Sequence, residues 1–289
     1  LKRKFTYDTT GNWYKGNIHV HTSNSDGDLS ASQVMAKYAE AGYDFVAITD
    51  HRKTFLNGNG SSYPLLVLEG VEWDGLDDYG TNYHVVAIGT SRKIPESSNL
   101  MDALENARKQ KALLIWAHPH WTGNTAGEGL RHHFDGMEIY NHSSQCEIGK
   151  GYATMHWDAI LERESNFLGF AVDDSHFRPA EPWWGGGWIM ANAPECTKEA
   201  IVQSLFEGNF YSSQGPIFKR IEQQGNRVRI ETSPIRFARL VGPRSRGKWN
   251  YVPGACVFHE FEIPPDWDYA RLEIEDANGK RAWTNALFS

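Results

Sequence analysis

Cysteine is scarce and scattered. Cys146, Cys196 and Cys256 are the only three in 289 residues, odd in number and without Cys-x-x-Cys spacing, which excludes a disulfide-stapled scaffold and a thiolate zinc knuckle. Any metal must therefore rest on imidazole and carboxylate. Long apolar runs are missing too: nothing reaches the length of a membrane span, so no membrane partner is expected. A cationic excess is also absent. The formal net charge is -7, which argues against a stable nucleic-acid partner held on a generic basic face. A phosphate substrate stays open, because bound cations supply positive charge locally. There is no internal repeat or low-complexity tract.

What is present is globular: 40% hydrophobic and 22% charged residues, enough for one large domain or two smaller ones. The chain opens at Leu1. A cytoplasmic location is the favoured expectation, and an exported protein with a removed leader also fits.

Residues 1–15 read as a lead-in arm, with Lys2, Arg3 and Lys4 a solvated end and Trp13 and Tyr14 docking it. Ile18 to Val20 reads as a short strand. Ser30 and Gln33 form a capping box for a helix that stops at Gly42. Apolar runs at 45–49, 65–68, 84–89, 112–116, 136–141 and 167–172 read as strands, and 57–62 as a loop. Helices are expected over 100–109, 152–164 and from the Thr197 cap to Gly208. The glycine- and tryptophan-rich stretch 183–188 is either a lid beside a site or a tight packed turn. Beyond Pro216 the period changes to strand alternation at 227–231 and 271–275, with turns at Pro264-Pro265 and Asn278-Gly279. Two units follow: an α/β barrel over 1–216, and a small C-terminal antiparallel β domain over 217–289, expected to be a sandwich.

The chemistry sits at the ends of the apolar runs. His19-Val20-His21 places two imidazoles on one side of a pleat, followed by Ser25-Asp26-Gly27. Later runs close on Asp50-His51, on Gly70-Val71-Glu72, on His118 and on Asp174-Ser175-His176. An α/β barrel gathers such strand ends into one site. His84 opens its strand instead, and an antiparallel return through the 74–82 turn would bring it back towards Glu72. Singly, each reads as well as a hydrogen-bonded buried residue. Together, so many buried polar groups are costly unless they bind cations. The candidate ligands are His19, His21, Asp26, His51, Glu72, His84, His118, Asp174 and His176, a set suited to Zn, Mn or Fe.

In this order the motifs resemble the PHP (polymerase and histidinol phosphatase) family of metal-dependent phosphoesterases over about residues 16–215. The resemblance implies a distorted (β/α)7 TIM-like barrel with two or three divalent ions. His19, His21, Glu72 and Asp174 would hold one; Asp26, His51 and His176 a second; Glu72 would bridge to a third shared with His84 and His118. It favours Glu72 over Glu69, because the family ligand directly follows Gly-Val. Asp173 departs from the family, which often has Ser there; it either adds charge to the site or caps a loop. Asp50 would orient His51 or its neighbours. The implied reaction is hydrolysis of a small phosphorylated substrate by a hydroxide bridging the ions, with no covalent intermediate. Arg178 is expected to grip phosphate bidentately. His120 and His142 are expected to assist, one of them protonating the leaving oxygen. His132, His133, His156 and His259 are expected to be structural. The rival readings are an amidohydrolase-like enzyme cleaving C–N or C–O bonds and a non-catalytic, metal-stabilised binding module.

Overall fold

A computed structural model describes residues 7–56 and 65–288. The basic triplet Lys2-Arg3-Lys4 and the 57–62 segment lie outside them. In chain order the elements are β1 (Asn12–Asn17), α1 (Ala31–Glu40), β2 (Phe45–Ile48), β3 (Leu66–Leu76), β4 (Asn82–Ile88), α2 (Leu100–Lys109) and β5 (Leu113–Trp116). Two short helices follow, α3 (Pro119–Thr122) and α4 (Ala126–Gly129), then β6 (Gly136–Asn141), α5 (His142–Ile148), α6 (Thr154–Leu161) and β7 (Leu168–Val172). The remainder is β8 (Trp188–Ala193), α7 (Lys198–Glu207), β9 (Phe210–Ser213), β10 (Phe218–Gln224), β11 (Arg227–Val241), β12 (Gly247–Glu262), β13 (Arg271–Glu275) and β14 (Arg281–Thr284). No helix among the described residues is long and apolar enough to cross a membrane.

Local sequence explains where the elements stop and start. Ser30 caps α1 while the Gln33 side chain returns to the Ser30 N–H, closing the reciprocal box that satisfies two orphan donors of the first turn. Thr197 caps α7, and Gly208 ends it at φ 76°, where a Cβ would be strained. Strands β2, β5 and β7 are buried along their whole length, as expected of strands covered on both faces.

The sheet is mixed. Pairs β1–β2, β2–β3, β5–β6 and β6–β7 are parallel, whereas β3–β4 and β4–β5 are antiparallel. The antiparallel return puts His84 opposite Asp74, two residues from Glu72. The sheet curls until the segment after β1 meets the segment after β7. Val20 bridges Ser175, and the Asp174 N–H donates to the His19 carbonyl at 3.0 Å. This seam brings the first and last ligand motifs side by side. The result is an α/β, barrel-like fold with a distinct C-terminal antiparallel region.

Two local readings differ from the structure. Trp13 and Tyr14 belong to strand β1, which pairs with β2 and β8, rather than to a docking arm. Ile18 to Val20 lies past the end of that strand. The cause is tertiary: β8, distant in sequence, supplies the ladder for 12–17, and local alternation cannot reveal it.

The C-terminal region is welded to the barrel. Strand β14 pairs with β9, and one apolar cluster runs from Trp116, Met137 and Trp157 to Tyr269 and Trp283. Arg271 is 3% exposed and clamps both Asp158 oxygens at 2.7 and 2.8 Å. Asp158 is 34% exposed, so it is the loss of Asp158 that leaves the buried guanidinium short of its partner. Asp158→Ala is therefore expected to destabilise the protein by about 3 kcal/mol, read as a lower urea midpoint. Arg229→Ala, which breaks only a surface pair with Glu260, is expected to leave the midpoint in place. Equal midpoints for the two variants would contradict the clamp.

Candidate metal centre

The strand ends converge as a dense group of imidazoles and carboxylates. His19 and His21 are wholly buried, and Glu72 is 1% exposed. His19 Nε2, His21 Nε2, Glu72 Oε2 and Asp174 Oδ1 lie 3.1–3.3 Å from one another in the five contacts that link either histidine to the rest. A tetrahedral ion with ligands at about 2.0 Å has ligand–ligand edges of about 3.3 Å. Beside this group, His21, Asp26, His51 and His176 offer ligand atoms all within 4.8 Å of one another. On the other side His51, Glu72 and His84 do the same, as do His19, His118 and Asp174. Glu72 is the hinge: Oε2 faces His19, His21 and His51, while Oε1 faces His84 at 2.8 Å and His118 at 3.2 Å.

Tautomers are fixed by what the far ring nitrogens touch. His19 Nδ1 lies 2.5 Å from Glu138 Oε1, so Nδ1 carries the proton. His176 Nδ1 donates to the Asp174 carbonyl. Thr122 Oγ1 donates to the His118 carbonyl and must therefore accept from His118 Nδ1. In the neutral rings Nε2 is consequently bare on all three. Each bare nitrogen faces a carboxylate oxygen: Glu72 for His19 and His118, Asp26 for His176, each at 3.2 Å. Among the described residues, His21 Nδ1, His51 Nδ1 and Asp174 Oδ1 are buried and find no hydrogen-bond partner. Acceptor against acceptor without a cation is a costly burial. These residues therefore fit divalent metal ions held side by side, an arrangement consistent with metal-dependent hydrolysis of a phosphoester.

The electrostatics express the same deficit of positive charge. Burial disfavours a charged His19, but Asp174, Glu138 and Glu72 outweigh it and hold the imidazole well above its usual pKa. His21 is pushed up to about 9, burial again being outweighed by Asp174 and Glu72. Glu72 and Asp174 sit well below the usual carboxylate range; in both, burial is overcome by the surrounding histidines, His19 foremost. His51 goes the other way, lowered chiefly by burial against the pull of Glu72.

The backbone is bent to aim these groups. His118 and Asp174 have φ of 25° and 55°, a region costing a non-glycine residue about 1–3 kcal/mol. The strain is held by fixed partners: the Glu138 carboxylate accepts from the His118 N–H at 2.8 Å, and the His19 carbonyl from that of Asp174. Asp50 accepts from the Thr22 N–H, Thr22 Oγ1 and Ser25 Oγ. It thus fixes the turn that carries Asp26. Asp173 accepts from the N–H groups of Gly185, Gly186 and Gly187, so its carboxylate pins the 183–188 loop. A Cβ on Gly186 would lie 2.2 Å from the His142 ring, which therefore needs glycine beside it.

The remaining candidates have hydrogen-bond partners of their own. Arg178 does not stand free to clamp phosphate: it donates to Asp26 Oδ2 at 2.6 Å, to the Asp26 carbonyl and to both Glu181 oxygens. A guanidinium two residues past His176 is close enough to hold the Asp26 carboxylate. His120 donates from Nδ1 to the Tyr152 carbonyl and neighbours His156, neither of them in the cluster. His142 bonds the Tyr140 hydroxyl at 2.9 Å. Glu69 is paired with Lys198 at 2.6 Å. His132 bonds Asp77 at 3.0 Å.

Two participants escaped the sequence reading. Glu138 is 1% exposed and binds His19, the His118 N–H and Asn141. Its signal was a lone carboxylate inside the apolar strand Gly136–Asn141. Trp121 is 39% exposed, with its ring edge-on to His118 and His84. No motif marks it. Partners that orient a ligating histidine are worth about 10–100-fold in metal affinity. Glu138→Gln is expected to weaken metal binding by about that factor in a competitive chelator titration, whereas Glu69→Gln should not. Unchanged affinity in Glu138→Gln would contradict the orienting role.

No protein-family model matches the chain. It is 29% identical over 149 residues to the DNA polymerase/3'-5' exonuclease PolX of Bacillus subtilis (strain 168), covering 42% of this chain and 26% of that protein. The chain thus spans about a quarter of that relative's length. Among solved structures, it is similar to a two-domain protein containing a predicted PHP-like metal-dependent phosphoesterase from Bacteroides vulgatus ATCC 8482, with 99% of both chains covered, a TM-score of 0.56 and 15% identity. An amidohydrolase from Chromobacterium violaceum matches 68% of this chain and 96% of that one at a TM-score of 0.44 and 12% identity, too distant to argue from. The end-to-end match and the metal-capable clusters at the strand ends agree: the chain has a PHP-like metal-dependent phosphoesterase fold.

Proposed function

We propose that this protein is a metal-dependent phosphoesterase acting on a phosphomonoester or small phosphodiester. The barrel would be of the distorted (β/α)7 kind, with the unit boundary near residue 216. The single observation that supports the reading best is the set of bare imidazole nitrogens facing carboxylate oxygens at 3.2 Å across one buried pocket. Two or three ions (Mn, Zn or Fe) would be held by His19, His21, Glu72 and Asp174, by Asp26, His51 and His176, and by Glu72, His84 and His118. When bound, such ions acidify water towards neutrality and neutralise phosphate oxygens.

The chain's own residues have separate tasks. Glu138 keeps the His19 proton on Nδ1 and leaves Nε2 free to ligate. Arg178 holds the Asp26 carboxylate directly, and Asp50 holds the turn through Thr22 and Ser25 that leads into it. Trp121 forms an apolar wall beside His118 and His84 that limits water at the pocket mouth. His142, seated on Gly186 and tied to Tyr140, is the candidate to hand a proton to the leaving oxygen, and His120 the second.

Chelation should abolish phosphate release from a panel of phosphomonoesters and cyclic phosphodiesters, and restoring Mn, Zn or Fe should return it. Turnover of a lactone or amide instead, with full metal loading, would overturn the phosphoesterase reading. Arg178→Ala is expected to lower kcat about tenfold or more with KM little changed, as for a residue acting through a ligand. A raised KM with kcat intact would restore the direct phosphate contact.

A further inference from the structure

The C-terminal region carries a surface that hydrolysis at the strand ends does not use. Among the described residues, strand β12 pairs with β11 alone and so forms an edge. In their antiparallel register Phe237 faces Tyr251, Arg239 faces Trp249 and Val241 faces Gly247. Residues two apart share a face, so the three aromatics stand together on one side of the hairpin. Trp249 is 69% exposed and Tyr251 44%. The Phe237 and Tyr251 rings lie 4.8 Å apart at 33°, and the Arg239 guanidinium covers Phe237 at 4.5 Å.

A concavity opens here, and among the described residues its wall contains four cations, Arg239, Arg244, Arg246 and Lys248, and no acidic residue. The chain's net charge of -7 averages this patch away, which is why composition argued against such a partner. Not every cation is free. Arg239 is braced by Glu273 and Glu275, Arg246 meets exposed Asp266, and Lys248 donates to the Glu262 carbonyl. The turn presenting them is firm: Gly242 donates to Arg246, Arg246 to Pro243, and Glu162 accepts from the Arg244 N–H at 2.9 Å.

Cations with exposed flat rings call for a ligand with both charge and π-faces. An uncharged glycan would use the rings and leave the cations without purpose. An acidic peptide would use the cations and leave Trp249 uncovered. A single strand of nucleic acid uses both: phosphates track the basic turn and unpaired bases stack on Trp249 and Tyr251. We propose that this face of β11 and β12 is a binding site for single-stranded nucleic acid. It stands whether or not the metal centre cleaves phosphoesters.

The test is a fluorescence titration of the full chain with an oligothymidylate of roughly 12 nucleotides, a duplex of similar charge and heparin, at several salt concentrations. The single strand should quench tryptophan emission and bind more tightly than the duplex. Trp249→Ala should weaken it at least about fivefold while the urea midpoint and metal content stay unchanged. The double variant Arg244→Ala/Arg246→Ala should flatten the log–log salt slope by about 1.4, for two lost phosphate contacts. No saturation below about 100 µM at low salt would overturn the site. So would an affinity indifferent to Trp249→Ala, since the patch would then attract any polyanion as heparin does. A dimer that Trp249→Ala converts to monomer would assign the face to a second copy of the chain and overturn the proposal equally.

Discussion

Everything at the centre of this molecule follows from acceptors that face acceptors. Three imidazoles have their proton committed on the far side of the ring, by Glu138, by the Asp174 carbonyl and by Thr122. Their remaining lone pairs point at Glu72 and Asp26. A fold gains nothing by burying such pairs unless positive charge comes between them. The raised pKa values of His19 and His21 are the same demand met by protons. Metal ions meet it with more charge and with the spacing already present.

Holding that arrangement requires constraint at a distance. The seam between the segments after β1 and β7 places His19 beside Asp174. Glu138 unites three participants, since it binds His19, His118 and Asn141, and Asn141 in turn donates to Asp174. Two more carboxylates act on loops rather than on ligands, Asp50 on the Thr22–Asp26 turn and Asp173 on the glycine loop. Positive φ at His118 and Asp174 is tolerated because these partners over-determine it.

Much of this was legible in the sequence, for a physical reason. A ligand at a strand end follows an apolar run, and the histidine and carboxylate motifs at 19–26, 51, 118 and 174–176 stand so, whereas Glu72 lies inside β3, which runs on to Leu76. The reading of His84 needed only that strands separated by a polar turn return antiparallel. Other features depend on partners distant in the chain. Glu138 sits mid-strand and reads as an anomaly, not as a brace for His19. Arg178 carries a bidentate guanidinium, but only the folded seam shows that Asp26 and Glu181 take it up. Strand β1 was hidden because its β8 partners lie 173 to 181 residues away. The length of β11 and β12, 15 and 16 residues, was obscured by bulges that break their alternation.

The central claim is that cations, not protons, fill the spaces between these acceptors. Anomalous X-ray diffraction from crystals grown with Mn tests it most directly. The account predicts peaks between His19 Nε2 and the oxygens of Glu72 and Asp174, and between His176 Nε2 and Asp26, each about 2.0–2.3 Å from its ligands. Metal-saturated crystals with no such peak, and with His19 still 3.2 Å from Glu72, would contradict it.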